Sequence, residues 1–555
     1  LMRSQPDMHS ASRQRVLALA VDAPNHALLQ KWMDEGALPN LARLQEASQC
    51  FLLQSQKSFS NEHCWIPILT GRRRDTWSNC LDYWDGKTYQ FKEASIYDWV
   101  QSPLFYALGE RRHVVAFDLA APVVENVRGI QVSGFACELN ESFPQSSPPD
   151  LMEQLVQRFG PDPKLSQRHR IINAVSQREG LSWIVPSCYR PDQMQQLTQN
   201  LVASVERRTA ACLDLLASEP WDLFIAAYTE IHSAGHSLWH LSQSHPLSVL
   251  KGEQPDPVLT VFQAVDASVG RLAAAAGRDV SIVFFTLDAT VVDSLENARA
   301  VFLPEFLYRW NFPGQSALAM GDAHAPPEAP RLDYPNHWKH EIWALRTAHG
   351  EQVLESPTQQ EERGDPLSWC PGNWYAPNWP HMRAFAMPSV ADGSVRLNVC
   401  GREAQGTVKV EDFLTVCDKL ARDIATLVNP RTGKAIVREV IRVREDPFDN
   451  DPTKSPADLI VICHEDGPLD VVDSSLVGRI GPIPFFRTSS HQAHGQKINN
   501  LMFVQQPANP HTGWAADTAN LEDIPATLLA LIGEEIPSHM DGRALVACIN
   551  ASQCP

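Results

Sequence analysis

The stretch from Trp221 to His240 most constrains how this chain can fold. Its first half, Leu223 to Tyr228, is an unbroken apolar run containing Phe224 and Ile225, the pattern of a buried strand. The second half opens with Thr229-Glu230 and places histidines at 232, 236 and 240. At that spacing three imidazoles stack on one helical face. Open α/β sheets bind ligands where strands deliver polar groups at their carboxyl ends. Two imidazoles four residues apart can hold a divalent cation. The alternative is a polar helix face whose histidines only form hydrogen bonds.

The rest of the chain has room for a large core, with 555 residues of which 44% are hydrophobic. At ~100–200 residues per domain, length alone suggests roughly three or four domains. A net charge of −18 and a pI near 5.5 argue for solubility and against binding nucleic acid or an anionic membrane. No apolar run in the sequence approaches the roughly 18–20 residues needed to span a bilayer. The polar start, Leu1 to Gln14, lacks the apolar segment of a secretion signal. Twelve cysteines without a CxxC pair fit reduced thiols better than a disulfide framework. These features point to a cytoplasmic protein and leave its oligomeric state open; a small-molecule substrate is expected as its partner.

Taken in order, Arg15 to Val21 reads as a buried strand ending at Asp22, followed by a helix from Ala27 to Glu35 closed by Gly36. Asp22 is a candidate cation ligand, although capping the next helix is the commoner role for a lone aspartate. The polar segment Ser58-Phe59-Ser60-Asn61-Glu62-His63 precedes an apolar helix ending at Gly71. A helix N-terminus there could face a phosphate or sulfate; alternatively Ser60 or Asn61 simply caps it. Arg72-Arg73-Arg74 reads as a solvated charge run, with an anion clamp as the second reading. The aromatics of 81–89 read as packing, and Val114 to Asp118 as a further strand. Long amphipathic helices are expected over Gln193–Ala217 and Val258–Ala276, with a strand at Ser281–Phe285. Strands are expected at 435–444 and 459–463, and a closing helix through Leu528–Ile532. Residues 140–192 and 311–395 read as insertions, the second loop-rich and lying over the site. Strand–helix alternation predicts an α/β fold, a central mostly parallel sheet with helices on both faces. We expect one domain over 15–546, with 1–14 and 547–555 as tails.

Several stretches together resemble the alkaline phosphatase superfamily, in particular its type I phosphodiesterase/nucleotide pyrophosphatase branch. They are Val16-Leu17-Ala18-Leu19-Ala20-Val21-Asp22, Leu38-Pro39-Asn40-Leu41, Trp65 through Gly71, and Ala234-Gly235-His236. Further on come Ser490-His491-Gln492-Ala493-His494-Gly495, Asp523 through Leu529, and Asp541-Gly542-Arg543. The resemblance implies an alkaline-phosphatase-like scaffold carrying two metal ions and a Thr or Ser nucleophile. Asp22 then matches the first-strand aspartate and His236 the histidine of the Asp-x-x-x-His motif. His491 matches the late histidine, with His494 as a rival. Departures are equally specific. The motif's aspartate falls on His232, and the nucleophile on Asn61, which has no hydroxyl. The family's Ser-Asp-His lands on Thr286-Leu287-Asp288 or, one residue on, leaves Asp288 followed by Ala289. Either register loses one ligand.

The resemblance thus implies one well-formed metal position made by His232, His236 and His491. A second, with Asp22, Asp288 and Asn61, is damaged, absent or rebuilt. Three neutral imidazoles suit zinc first, and iron, copper or manganese as well. The expected activity is metal-dependent phosphodiester or phosphoester hydrolysis or transfer, with sulfoesters behind. Water or Ser60 would attack, Asn61 would donate to the developing anion, and His63, Glu62 and Glu230 are acid/base candidates. The alternative is a repurposed mononuclear iron or copper enzyme doing redox or lyase chemistry.

Overall fold

Apolar runs alternating with amphipathic helices bury both faces when a parallel sheet is covered on each side. The computed structural model describes residues 14–56, 64–73, 82–98, 102–136, 141–250, 256–292, 295–388, 392–485, 487–491, 497–507 and 511–546. Ten strands form its central sheet. Five run parallel, in the order Val280–Leu287, Arg15–Asp22, Leu223–Tyr228, Gly109–Phe117 and Val127–Ser133. Lys497–Gln505 lies antiparallel between Val280–Leu287 and Gln49–Gln56. The α/β class with a mostly parallel sheet is therefore the one adopted.

The strand period of two divides the core. Leu17, Leu19 and Val21 face a cluster built with the helices Pro191–Ser218 and Pro257–Ala276. Val16, Ala18 and Ala20 face the opposite cluster, with Trp65–Thr70 and Asp523–Leu531. Register then aligns the strand ends. Val21 lies opposite both Tyr228 and Thr286, so Asp22, Thr229 and Asp288 leave the sheet along one carboxyl edge.

Three resemblance-bearing stretches meet on the second face. Gly71 ends its helix in the left-handed region (φ 67°), and its carbonyl accepts from the Asp541 and Gly542 amides. Asp523 in turn accepts from the Arg543 amide at 2.8 Å. The Arg73 amide donates to Asp541 at 2.8 Å, while Arg74 lies outside the described residues.

Some expectations change. By length and composition the helix Pro257–Ala276 could cross a membrane, with mean hydropathy 1.3, which corrects the reading that no run comes close. Its Val261, Phe262, Val265 and Leu272 are buried in the core, and its Asp266 accepts from the Leu41 amide at 2.7 Å. Within 140–192, Gln145–Ser147 joins the edge of the central sheet beside Val127–Ser133. The segment 311–395 is more ordered than its Pro-rich composition suggests. It contains the helices Trp338–Ala344 and Pro357–Glu362 and contributes Ala384–Met387 to a four-stranded antiparallel sheet. That sheet continues through Gly393–Leu397, Leu459–Cys463 and Val437–Arg442. The aromatics of 81–89 do pack: Trp84 contacts Tyr89, Trp379 and Phe385. Eight cysteines lie among the described residues, and no disulfide joins any two of them.

One buried guanidinium ties the helix layer to the sheet edge. Arg208, from Pro191–Ser218, bonds Asp118 at 2.6 Å and Glu230 at 3.0 Å, and all three side chains are buried. Asp118, just past its strand, also accepts from the Phe135 and Ala136 amides, each at 2.8 Å. Replacing Arg208 leaves two carboxylates buried without their cation, which costs far more than losing a surface pair. Arg208→Met should lower unfolding free energy by about 3–5 kcal/mol in urea titration. Arg158→Ala, which removes a partly exposed pair with Asp214, should leave the urea midpoint close to that of the wild type.

Candidate metal centre

The helix Glu230–Leu238 starts directly beyond the strand Leu223–Tyr228 and carries His232 and His236 one turn apart, with ring centroids 5.0 Å apart. His491 arrives from the far end of the chain. Its short strand Ser490–His491 pairs antiparallel with Thr290–Val291, placing His491 opposite Thr290. Gly235 lets the helix lie against this ribbon: a Cβ there would meet Thr290 Oγ1 at 2.9 Å. The His491 ring centroid ends 4.7 Å from those of both His232 and His236.

The rings face one another through the same atom. His491 Nε2 lies 2.9 Å from His232 Nε2 and 3.2 Å from His236 Nε2. All three ligand atoms fall within 4.8 Å of one another, the one such group of three among the described residues. Tetrahedral nitrogens at the ~2.0–2.1 Å bond length of zinc lie roughly 3.3 Å apart, close to these separations.

Each ring meets an oxygen on its other side. His232 Nδ1 is 2.8 Å from Asp22 Oδ2, His491 Nδ1 is 2.9 Å from Asp288 Oδ2, and His236 Nδ1 is 2.7 Å from the Ser489 carbonyl. A carbonyl can only accept, so His236 donates through Nδ1 and turns the Nε2 lone pair inward; His232 Nδ1 lies within hydrogen-bond reach of Asp22, and His491 Nδ1 meets Asp288 as a charge contact. Asp22 and Asp288, expected as direct ligands, each place one carboxylate oxygen against the outward nitrogen of an imidazole. Burial pushes the Asp22 carboxyl up to about 8, and the negative charge of Asp288 pushes the same way. Burial holds His236 well below the usual imidazole range, with the Arg487 charge acting in the same direction. Neutral imidazole is the ligand form.

The remaining candidates separate. His240 does not extend the stack, because the α-helix ends at Leu238 and a 3₁₀ turn, Trp239–Leu241, swings it away. Its Nε2 donates to the Cys188 carbonyl at 3.0 Å and its Nδ1 lies 3.1 Å from Thr488 Oγ1. Glu230 is corrected as an acid/base candidate: it accepts from Arg208 and from Ser204 at 2.7 Å, inside the ion cluster. Burial alone would raise its carboxyl, but Arg208 and Lys164 hold it below the usual range. It is therefore a fixed anion. Asn61, Ser60, Glu62, His63 and His494 lie outside the described residues.

Sequence reasoning missed the clasp on the segment that delivers His491. His245 Nε2 donates to the Thr488 carbonyl at 2.8 Å while its Nδ1 accepts from the Leu247 amide. With His236 on Ser489 and His240 on Thr488, three imidazoles from one short stretch grip two consecutive residues. The density of histidines between 232 and 245 was the available signal.

No family model matches the sequence, and no curated protein matches it. Solved structures similar to this chain include phosphonoacetate hydrolase from Sinorhizobium meliloti 1021 in complex with phosphonoformate. That match has 12% identity and a TM-score of 0.45, covering 94% of this chain and 96% of the other. Wild-type alkaline phosphatase PafA matches at 10% identity and a TM-score of 0.46, covering 97% and 99%. Murine ectonucleotide pyrophosphatase/phosphodiesterase 5 matches at 12% identity and a TM-score of 0.44, covering 95% and 97%.

Because the carboxylates orient rings, their loss and the loss of a ring should differ in size. Asp288→Ala should weaken zinc binding by ~10–100-fold. His491→Ala should remove tight binding altogether. Competition titration against a chromogenic chelator reads both, and equal losses would place Asp288 on the metal.

Proposed function

We propose that this chain is a metal-dependent hydrolase or transferase of phosphoesters, working at one divalent cation held by His232, His236 and His491. One observation carries the reading: three Nε2 atoms from two distant parts of the chain share a centre at the carboxyl edge of a parallel sheet. The donor set fits such an ion, because every opposite nitrogen already faces an oxygen. Neutral imidazoles favour zinc, ahead of iron, copper and manganese. When bound, the ion would supply Lewis acidity to a phosphoryl oxygen and acidify water. The chain's own contribution is orientation, through Asp22, Asp288 and the Ser489 carbonyl.

The superfamily resemblance supports phosphoesters as the substrate class, phosphodiesters first and sulfoesters behind. The meeting of the stretches around Gly71, Asp523 and Asp541 supports that resemblance. With Asn61 in place of a hydroxyl, water or Ser60 is the attacking group we favour, with Asn61 as donor and His63 as acid/base. Engagement of both Asp22 and Asp288 by imidazoles supports one ion in preference to two. A cytoplasmic location and a small-molecule substrate complete the reading.

An observation favours a second reading. A ligand set of three nitrogens, in a chain whose Asn61 has no hydroxyl to attack with, suits a mononuclear iron or copper enzyme doing redox or lyase chemistry. Metal analysis of protein purified without added metal, paired with a turnover panel, separates the two. Zinc or manganese with hydrolysis of bis-nitrophenyl phosphate or nitrophenyl phosphate is expected. Bound iron or copper and no turnover of these or of nitrophenyl sulfate would select the second reading. Chelation should abolish activity and lower Tm, since an ion that binds only the folded state stabilises it.

A further inference from the structure

A cavity of about 40 Å³ opens against Arg487, whose charge also acts on His236. Its walls carry Arg487, Lys339, His169 and His337 with the indoles of Trp183 and Trp369, and among the described residues no carboxylate lines it. We propose that this cavity binds a small oxyanion: a carboxylate, phosphate or sulfate group.

Charge and geometry agree on that ligand. Arg487 is buried, with Trp369 over its guanidinium at 5.3 Å. Its guanidinium lies 3.8 Å from Glu296, which also bonds Arg299 at 3.0 Å, so two guanidiniums share that carboxylate. Lys339 pairs with Glu361, which is not part of the wall. His169 Nδ1 is buried and has no hydrogen-bond partner among the described residues. His337 is the neutral part of the lining: its Nε2 donates to the Val185 carbonyl at 2.7 Å and its Nδ1 accepts from the Lys339 amide. Burial pushes Lys339 down to about 8 and lowers His169, on which the Lys339 charge adds to the effect.

Cationic side chains whose paired carboxylates lie outside the cavity wall favour an anion within it, which would gain charge-assisted hydrogen bonds. The volume exceeds the ~10–15 Å³ that admits one water, so a group of several atoms fits. An apolar ligand would leave His169 Nδ1 unsatisfied, and a cation would be repelled.

The test uses the full chain stripped of metal by chelation, so that the three histidines hold no ion. Calorimetric titration with inorganic phosphate at low ionic strength should show one saturable site. Lys339→Gln and His169→Gln should each weaken it ~10-fold or more, and Lys339→Arg should recover most of the loss. His169 is partly exposed, so its variant should melt like the wild type and keep the comparison clean. No saturable binding to the wild type, or equal binding to all variants, overturns the proposal. This arm needs no turnover, so it stands or falls apart from the phosphoesterase reading. A second arm identifies the source of the anion in metal-loaded protein turning over bis-nitrophenyl phosphate. The part of sulfate inhibition that His169→Gln removes is competitive if the oxyanion belongs to the substrate, and non-competitive if it is a free effector.

Discussion

Ring nitrogens that face one another need a proton or a cation between them, and the fold brings three of them to one centre. A proton on His491 Nε2 can be aimed well at His232 or at His236, 2.9 and 3.2 Å away, while a cation between them serves all three at once. What keeps the rings from turning is the oxygen behind each. Asp22, Asp288 and the Ser489 carbonyl come from three different strand ends or loops, so no single element sets the geometry. The site is consequently a property of the sheet edge as a whole, and its stiffness comes from covalently distant parts agreeing on one centre.

Two further contacts hold that edge in place. Arg208 joins Asp118, beyond one strand, to Glu230, at the start of the histidine helix, and so fixes where the helix leaves the sheet. Gly235 then allows the helix to approach the Thr290–Val291 ribbon closely enough for His236 and His491 to meet. A larger side chain at 235 would push apart the two pieces that the centre needs together. The ion cluster and the glycine act on opposite sides of the same helix, one as anchor and the other as clearance.

Much of this could be read from the residues. Largely apolar runs at 16–21, 223–228 and 281–285 became central strands because they are buried on both faces of the sheet, and the i, i+4 spacing of His232 and His236 survived as one helical face. His491 was legible only through the family resemblance, since no local pattern links it to residues 259 and 255 positions away. His240 was misread because periodicity carries no information about where a helix tightens into a 3₁₀ turn. Asp22 and Asp288 were placed in the right neighbourhood, but spacing cannot say whether a carboxylate faces an ion or the ring that would bind it. Glu230 looked catalytic because its partner, Arg208, sits 22 residues earlier on another helix. Of the antiparallel sheet between 384 and 463, the strands at 437–442 and 459–463 could be read, while Ala384–Met387 and Gly393–Leu397 are too short for alternation to register.

The ribbon of Thr290–Val291 and Ser490–His491 makes the chain from 292 to 489 a single excursion whose neck is the histidine cluster. An ion shared by His232, His236 and His491 would act there as a staple across the neck. Chain-closure entropy rises only with the logarithm of loop length, about 0.6 kcal/mol for each doubling. Closure at the neck therefore sets little limit on how long the excursion is, and its sequence is held instead by the core residues it contributes, Phe302, Trp374 and Phe385 among them.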